Sequence, residues 1–151
     1  MRRVEQEVAA DEPMVARQVF RRWAIAIPDH FDETFLAEDG YWHAWDEHRS
    51  VSLTSLAISD RHRRRVSAKR ILKRIVNLIP IDAEGHLAMP AGLEGWAVTI
   101  TPVRPARASR AISGIIAVDG SVLVVTITSD DLSWATIVWL SIRRTLTPGD
   151  A

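Results

Sequence analysis

The dipeptide Asp119-Gly120 lies between two β-prone runs, residues 111–118 and 121–128, and constrains the fold more tightly than any other short feature of the chain. An Asp-Gly pair supplies the backbone freedom that a two-residue hairpin turn demands. With the turn placed there, the register follows by counting outward. Ile116 faces Leu123, Gly114 faces Val125 and Ile112 faces Ile127, which makes one continuous apolar face. The opposite face pairs Ala117 with Val122, Ile115 with Val124, Ser113 with Thr126 and Ala111 with Thr128, so it is apolar beside the turn and polar away from it.

The same arithmetic extends in both directions. Residues 95–103 alternate, with Trp96, Val98 and Ile100 on one side and Ala97, Thr99 and Thr101 on the other, before Pro102 and Pro105 end the strand. Ser129-Asp130-Asp131 opens a last helix with acids in its first turn and Arg143-Arg144 in its last, as the helix dipole favours. Leu132, Ala135, Val138, Trp139, Ile142 and Leu146 form its stripe, yet Trp134, Ile137 and Leu140 fall outside it. An apolar surface that wide is buried on more than one side, by its own domain or by another chain.

Residues 1–17 carry Glu5, Glu7, Asp11 and Glu12 ahead of Pro13 without an apolar period, and read as a frayed or short helical segment. A first strand spans 19–27, stopped by Pro28, and a polar connector follows over 29–39 with Phe31, Phe35 and Leu36 pinned to the core. Tyr41–Trp45 and residues 50–58 are β-prone and joined by Asp46-Glu47-His48-Arg49, a plausible hairpin loop. In the second run the apolar parity changes from Val51 and Leu53 to Leu56 and Ile58, as a bulge near Thr54-Ser55 would make it. After a basic loop, Ser67 caps a helix to about Ile79. Its arc of Ala68, Ile71, Leu72, Ile75, Val76, Leu78 and Ile79 opposes Lys69, Arg70, Lys73, Arg74 and Asn77. Residues 81–94 read as loop. Consecutive strands with short turns argue for an antiparallel sheet. The expected fold is therefore α+β, with five to six antiparallel strands covered by two amphipathic helices. A single domain would span 19–147, between an N-terminal segment 1–18 and a tail 148–151.

Length and composition narrow the function classes. At 151 residues the chain can bury a core without staples, and it has no cysteine, which removes disulfides and thiol chemistry together. No apolar run approaches the ~20 residues that span a bilayer, so a cytoplasmic protein with no membrane partner is expected. Arg and Ala usage suits a GC-rich bacterial genome. Nucleotide-binding glycine motifs and the GxSxG nucleophile motif are missing, no motif calls for a cofactor, and nothing commits the chain to an enzyme.

The zero net charge conceals a segregation. Arg61, Arg63, Arg64, Arg65, Lys69, Arg70, Lys73 and Arg74 are 8 of the 19 Lys and Arg, whereas Asp29, Asp32, Glu33, Glu38, Asp39, Asp46 and Glu47 precede them. Such a stretch suits phosphates or an acidic protein surface, or a solvated face paired to the acidic connector. With no aromatic residue between Asp60 and Pro80 to stack bases, nucleic acid is possible but not favoured. Trp42, His43, Trp45 and Trp96 are candidates for a small-ligand pocket, although strand alternation separates Trp42 from His43 and Trp45. A metal centre would need His43, His48 and a carboxylate together, with His30, His62 or His86 as further candidates, and no pair has helical ligand spacing, so none is assigned.

The order of elements resembles PsbP-like proteins, in the strand ending Ile25-Ala26-Ile27-Pro28, the strand Tyr41-Trp42-His43-Ala44-Trp45, the strand 50–58, the mid-chain helix, the terminal hairpin and the helix ending Leu140-Ser141-Ile142-Arg143. The resemblance covers about residues 19–145 and implies an α/β/α sandwich with a role in binding or assembly; it transfers no functional residue. The leading expectation is thus a non-enzymatic interaction domain that self-associates, as a dimer or with another protein, through Trp134, Ile137 and Leu140. An anion binder using 61–74 and a small-molecule binder using 41–49 are the alternatives.

Overall fold

The hairpin forms in the register that counting gives. In a computed structural model describing residues 12–36, 38, 40–101 and 110–145, β8 (Arg110–Val118) and β9 (Ser121–Ser129) pair from Arg110↔Ser129 to Val118↔Ser121. Gly120 takes the positive φ of the turn, at 80°. On one side β9 pairs with β5 (Ser50–Ala57), β5 with β4 (Tyr41–Trp45), and β4 with β3 (Asp32–Leu36). On the other, β8 pairs with β7 (Glu94–Ile100), which pairs with the two-residue β6 (Gly85–His86). The result is a seven-stranded antiparallel sheet, β3-β4-β5-β9-β8-β7-β6, beside a three-stranded sheet formed by β1 (Met14–Val19), β2 (Trp23–Pro28) and β10 (Arg143–Arg144). The helices are α1 (Ala68–Ile75), continued by a 3₁₀ turn Val76–Leu78, and α2 (Leu132–Leu140).

This overturns the expected α+β sheet covered by two amphipathic helices, and with it the α/β/α sandwich. Among the described residues the protein is mostly β, 49% strand against 17% helix, in two sheets with two short helices. Residues 14–19 lack an apolar period yet form β1, because β2 offers a ladder from Met14↔Pro28 to Val19↔Trp23. The single strand expected over 19–27 is broken by Phe20 and Arg21, whose φ values of 56° and 70° fold the chain back. The polar connector contains the exposed edge strand β3, whose Asp32 and Glu33 discourage further strand pairing, and the loop 81–94 contains β6. The last helix stops at Leu140. There the Ser141 hydroxyl donates to the Val138 carbonyl (2.6 Å) and accepts from the Ala26 N–H (2.9 Å), and Arg143-Arg144 leave to pair with β2. Residues 1–11, Leu146 and the tail 148–151 lie outside the described residues.

Each face of the large sheet has its own cover. One face carries Trp42, Ala44, Val51, Leu53, Ile112, Ile116, Leu123, Val125 and Ile127, all buried beneath α2 and the Trp23-Ile25-Ile27 side of β2. Gly114 sits among them because a Cβ there would come within 2.7 Å of the Trp139 ring. α2 turns Trp134, Ala135, Val138 and Trp139 inward, where they are buried, and leaves Ser133, Ile137 and Leu140 exposed. The other face carries Trp96, Val98, Ile115, Ala117 and Val122, against which α1 packs Ile71 and Ile75. The change of parity in β5 is not a bulge: its ladder with β9 runs unbroken from Ser50↔Thr128 to Ala57↔Ser121. Val51 and Leu53 serve the first face, and Leu56 simply points to the second.

Candidate functional site: a cleft with a cationic rim

Within the β8–β9 hairpin the second face is apolar near the Asp119-Gly120 turn and polar away from it, as the sequence register anticipates, and α1 covers only part of that apolar area. Local chemistry holds α1 in place at both ends. At its start Ser67 Oγ accepts from the Arg70 N–H (3.3 Å), and Asp119 Oδ1 reaches from the hairpin turn to accept from the Ala68 N–H (2.8 Å). At its end the Trp96 indole N–H donates to the Ile75 carbonyl at 2.7 Å, where the helix passes into its 3₁₀ turn. The loop between β5 and α1 is tied to the same turn, by Ile58 N–H to Gly120 O and Gly120 N–H to Val66 O.

Between α1 and the sheet these constraints leave a cleft of about 540 Å³, within the ordinary size range of small-molecule sites. Its floor is Ile115, Val122, Val124 and Leu56, and its walls include Ile58, Val66, Ile71, Ile75 and Leu78. Leu56 and Leu78 remain 46% and 61% exposed, so the described residues leave this apolar surface open. The charged groups of the lining are Arg61, Arg70, Arg74 and Asp60. Asp60 is occupied, since its Oδ1 accepts from the backbone N–H groups of His62 (2.8 Å) and Arg64 (2.9 Å). The three arginines are exposed, and among the described residues no ion pair engages them.

The acidic connector is engaged elsewhere. Asp29 and Glu33 pair with Arg17 (3.4 and 3.2 Å), and Asp46 pairs with Arg49 (2.7 Å) and His30 (3.3 Å). Arg49 also holds Glu12 through two 2.8 Å hydrogen bonds, and its guanidinium lies over the rings of Phe31 (5.3 Å) and Trp134 (4.6 Å). Burial pushes the Asp46 carboxyl up, but the Arg49 side chain and the backbone N–H groups of His48 and Arg49 outweigh it and hold the pKa at about 2. The Arg49 hydrogen bond likewise holds Glu12 below the usual carboxylate range, and Arg49 itself is raised by Glu12.

The basic stretch therefore divides. Arg61, Arg70 and Arg74 reach the cleft; Arg65 crosses to the opposite side of the turn, packed on Gly120; Arg63, Arg64, Lys69 and Lys73 are exposed and line neither.

The Trp and His candidates do not converge. Trp42 is buried on the α2 face, whereas Tyr41, His43 and Trp45 form a row on the other, with His43 stacked on Trp45 at 4.9 Å and its pKa lowered by burial. Trp96 shares that face but lies four strands away, about 19 Å. His48 sits near Glu47 (3.9 Å) and His30 near Asp46, and among the described residues no group of three or more His, Cys, Asp or Glu could hold a metal. Of the residues expected at an interface, Trp134 is enclosed by Phe31 and Arg49, while Ile137 and Leu140 are 60% and 45% exposed. Among the described residues no helix is long and apolar enough to cross a membrane.

Sequence reasoning missed the cleft, although its signals were present: the parity change at Leu56 and Ile58, and the apolar patch beside the turn. The chain matches no family model and no curated protein sequence. The likeness to PsbP-like proteins thus has the order of elements behind it and nothing more.

Proposed function

We propose that this protein is a binding domain whose cleft beneath α1 takes a small amphiphile, an aliphatic body ending in a single anionic head, of the kind a medium-chain fatty acid represents. The observation that carries this reading is the pairing of an open apolar floor with a rim of three arginines that have no ion-pair partner among the described residues. Apolar burial supplies the affinity, at ~0.8 kcal/mol for each methylene removed from water, offset by the cost of association. The arginines supply the sign. A guanidinium fork suits a carboxylate, and a cationic head would meet like charge.

The test is calorimetric titration with decanoate, decanol and decyltrimethylammonium, each below its aggregation concentration. Decanoate is expected to bind best, and Arg70→Glu with Arg74→Glu to reverse the order of decanoate and the cation. Equal affinity for all three, or an unchanged order in the double variant, would sink the reading. Self-association has Ile137 and Leu140 to support it on α2. Light scattering across a dilution series tests it, and a monomer at all concentrations removes it.

A further inference from the structure

The outer side of α1 faces solvent and changes character along its length. Ile71 and Ile75 pack on the sheet, while Lys69, Arg70, Lys73 and Arg74 are exposed. Among the described residues no ion pair engages these four cations. Beyond them the 3₁₀ turn carries Val76 and Leu78, both exposed, and Ile81 follows, fully exposed. A cationic helix thus ends in an apolar tip that the described residues leave in water.

Ile81 is the most prominent part of that tip. It lies in the turn from Pro80 to Ala83, closed by the Ala83 N–H to the Pro80 carbonyl at 3.2 Å. Turns ordinarily take Gly, Asn, Asp or Ser, which favour the bend; an exposed isoleucine there serves neither the turn nor the core. The chain is anchored just behind it, where the Glu84 N–H donates to Thr99 O (2.8 Å) and the Glu84 carboxylate accepts from the Thr101 hydroxyl. Asp82 and Glu84 are the acids that follow the tip in sequence, against four cations before it. Along the helix axis Lys73 and Arg74 lie about one turn behind Leu78, roughly 6–8 Å. An apolar edge sunk roughly 5–10 Å into a bilayer surface brings cations so placed to the headgroups.

We infer that the end of α1 is a docking surface for an anionic lipid bilayer, with Val76, Leu78 and Ile81 entering the interface and Lys69, Arg70, Lys73 and Arg74 meeting the headgroups. Charge selects the surface: each basic residue held near an anionic leaflet raises partitioning roughly fivefold. Shape selects the bilayer over other polyanions. A convex aliphatic tip enters lipid without a complementary pocket, whereas a nucleic acid would engage the cations and leave the isoleucine in water. No helix among the described residues is long and apolar enough to cross a membrane, and a peripheral contact needs none. The cleft opens beside this tip, since Arg70, Arg74 and Leu78 also line it.

The test is co-sedimentation with vesicles of phosphatidylcholine alone and of phosphatidylcholine with phosphatidylglycerol in equal parts. Binding to the anionic vesicles is expected, weakening as salt rises, with little to the neutral ones. Lys69→Glu with Lys73→Glu, and separately Val76→Ser with Ile81→Ser, should each weaken it about tenfold or more, with folding checked by circular dichroism. Ile137→Ser, exposed on α2 across the sheet, should leave it unchanged. Because the chain has no cysteine, Ile81→Cys accepts a single polarity-sensitive fluorophore. A blue shift of that label on anionic vesicles is expected, and none when the label is carried by Ile137→Cys. Equal binding to both kinds of vesicle, or an unshifted label at position 81, would overturn the assignment. Lys69, Lys73, Val76 and Ile81 do not line the cleft, so failure here leaves the amphiphile reading standing, and the reverse.

Discussion

The two faces of the seven-stranded sheet are made by the same strands and finished differently. Beneath α2 and the small sheet Trp42, Ala44, Val51, Leu53, Ile112, Ile116, Leu123, Val125 and Ile127 are all buried, and Trp139 fills the space that Gly114 leaves. Beneath α1 only the strip nearest the helix is buried, and the apolar area beyond it stays open as the cleft. A face closed by a helix and a second sheet carries stability. A face half closed by one short helix has surface left for a ligand. The lesson is that a sheet can be alternately apolar along both sides of one strand, as β5 is, and use the two apolar patches for different ends.

The sharpest way to break that comparison is to make one change on both faces of β5. Leu53 is 1% exposed on the packed face and Leu56 is 46% exposed in the cleft. Leu53→Ala is expected to cost about 2–5 kcal/mol in urea unfolding, and Leu56→Ala less than about 1 kcal/mol. Equal losses would mean that the cleft is packed shut in solution.

The packed face is sealed at its far end by Arg49, and that seal titrates. The Asp46 carboxyl has a folded pKa of about 2, below its ordinary 3.8. Its contribution, of order 2 kcal/mol, is therefore fully present above pH ~4 and lost as pH falls through about 2. Glu12 is lowered too and acts in the same direction. Urea unfolding between pH 6 and pH 2 should show the fall, and Asp46→Asn should lower stability at neutral pH while flattening the acid slope. An unchanged slope would detach the seal from the packed face.

On the cleft side, Trp96→Phe removes the buried indole hydrogen bond to Ile75 O. A loss of about 1–2 kcal/mol is expected, with faster amide exchange concentrated in residues 71–75. Exchange that rises uniformly would show that α1 opens only with the whole domain. The smallest effect sharpens the contrast from the ligand's side. Arg70→Glu should leave thermal unfolding within about 0.5 kcal/mol of the parent, because the side chain is exposed, while decanoate affinity falls.

Legibility followed the range of the interaction. The β8–β9 register, the Ser67 cap and the split character of the β8–β9 face depend on neighbours in sequence, and counting suffices to read them. β1, by contrast, exists because β2 lies beside it, and the break at Phe20-Arg21 places two side-chain-bearing residues where an Asn-Gly pair would be the ordinary signal. The last helix looked overlong because Ile142 continues its stripe, yet Ser141 turns the chain into β10 through a bond to Ala26, more than a hundred residues away.

Taken alone, the sequence determined the turn at Asp119-Gly120, the apolar faces of the hairpin it joins, and that positive charge gathers between Arg61 and Arg74. Those are properties of period and composition, written into consecutive residues. The tertiary structure decided that the charge divides between the cleft, the far side of the Asp119-Gly120 turn and the open side of α1. It also decided that Trp134 serves the core, and that Leu56 and Ile58 line a cleft. Each of these depends on which distant surface arrives to cover a given patch, and local pattern does not encode that.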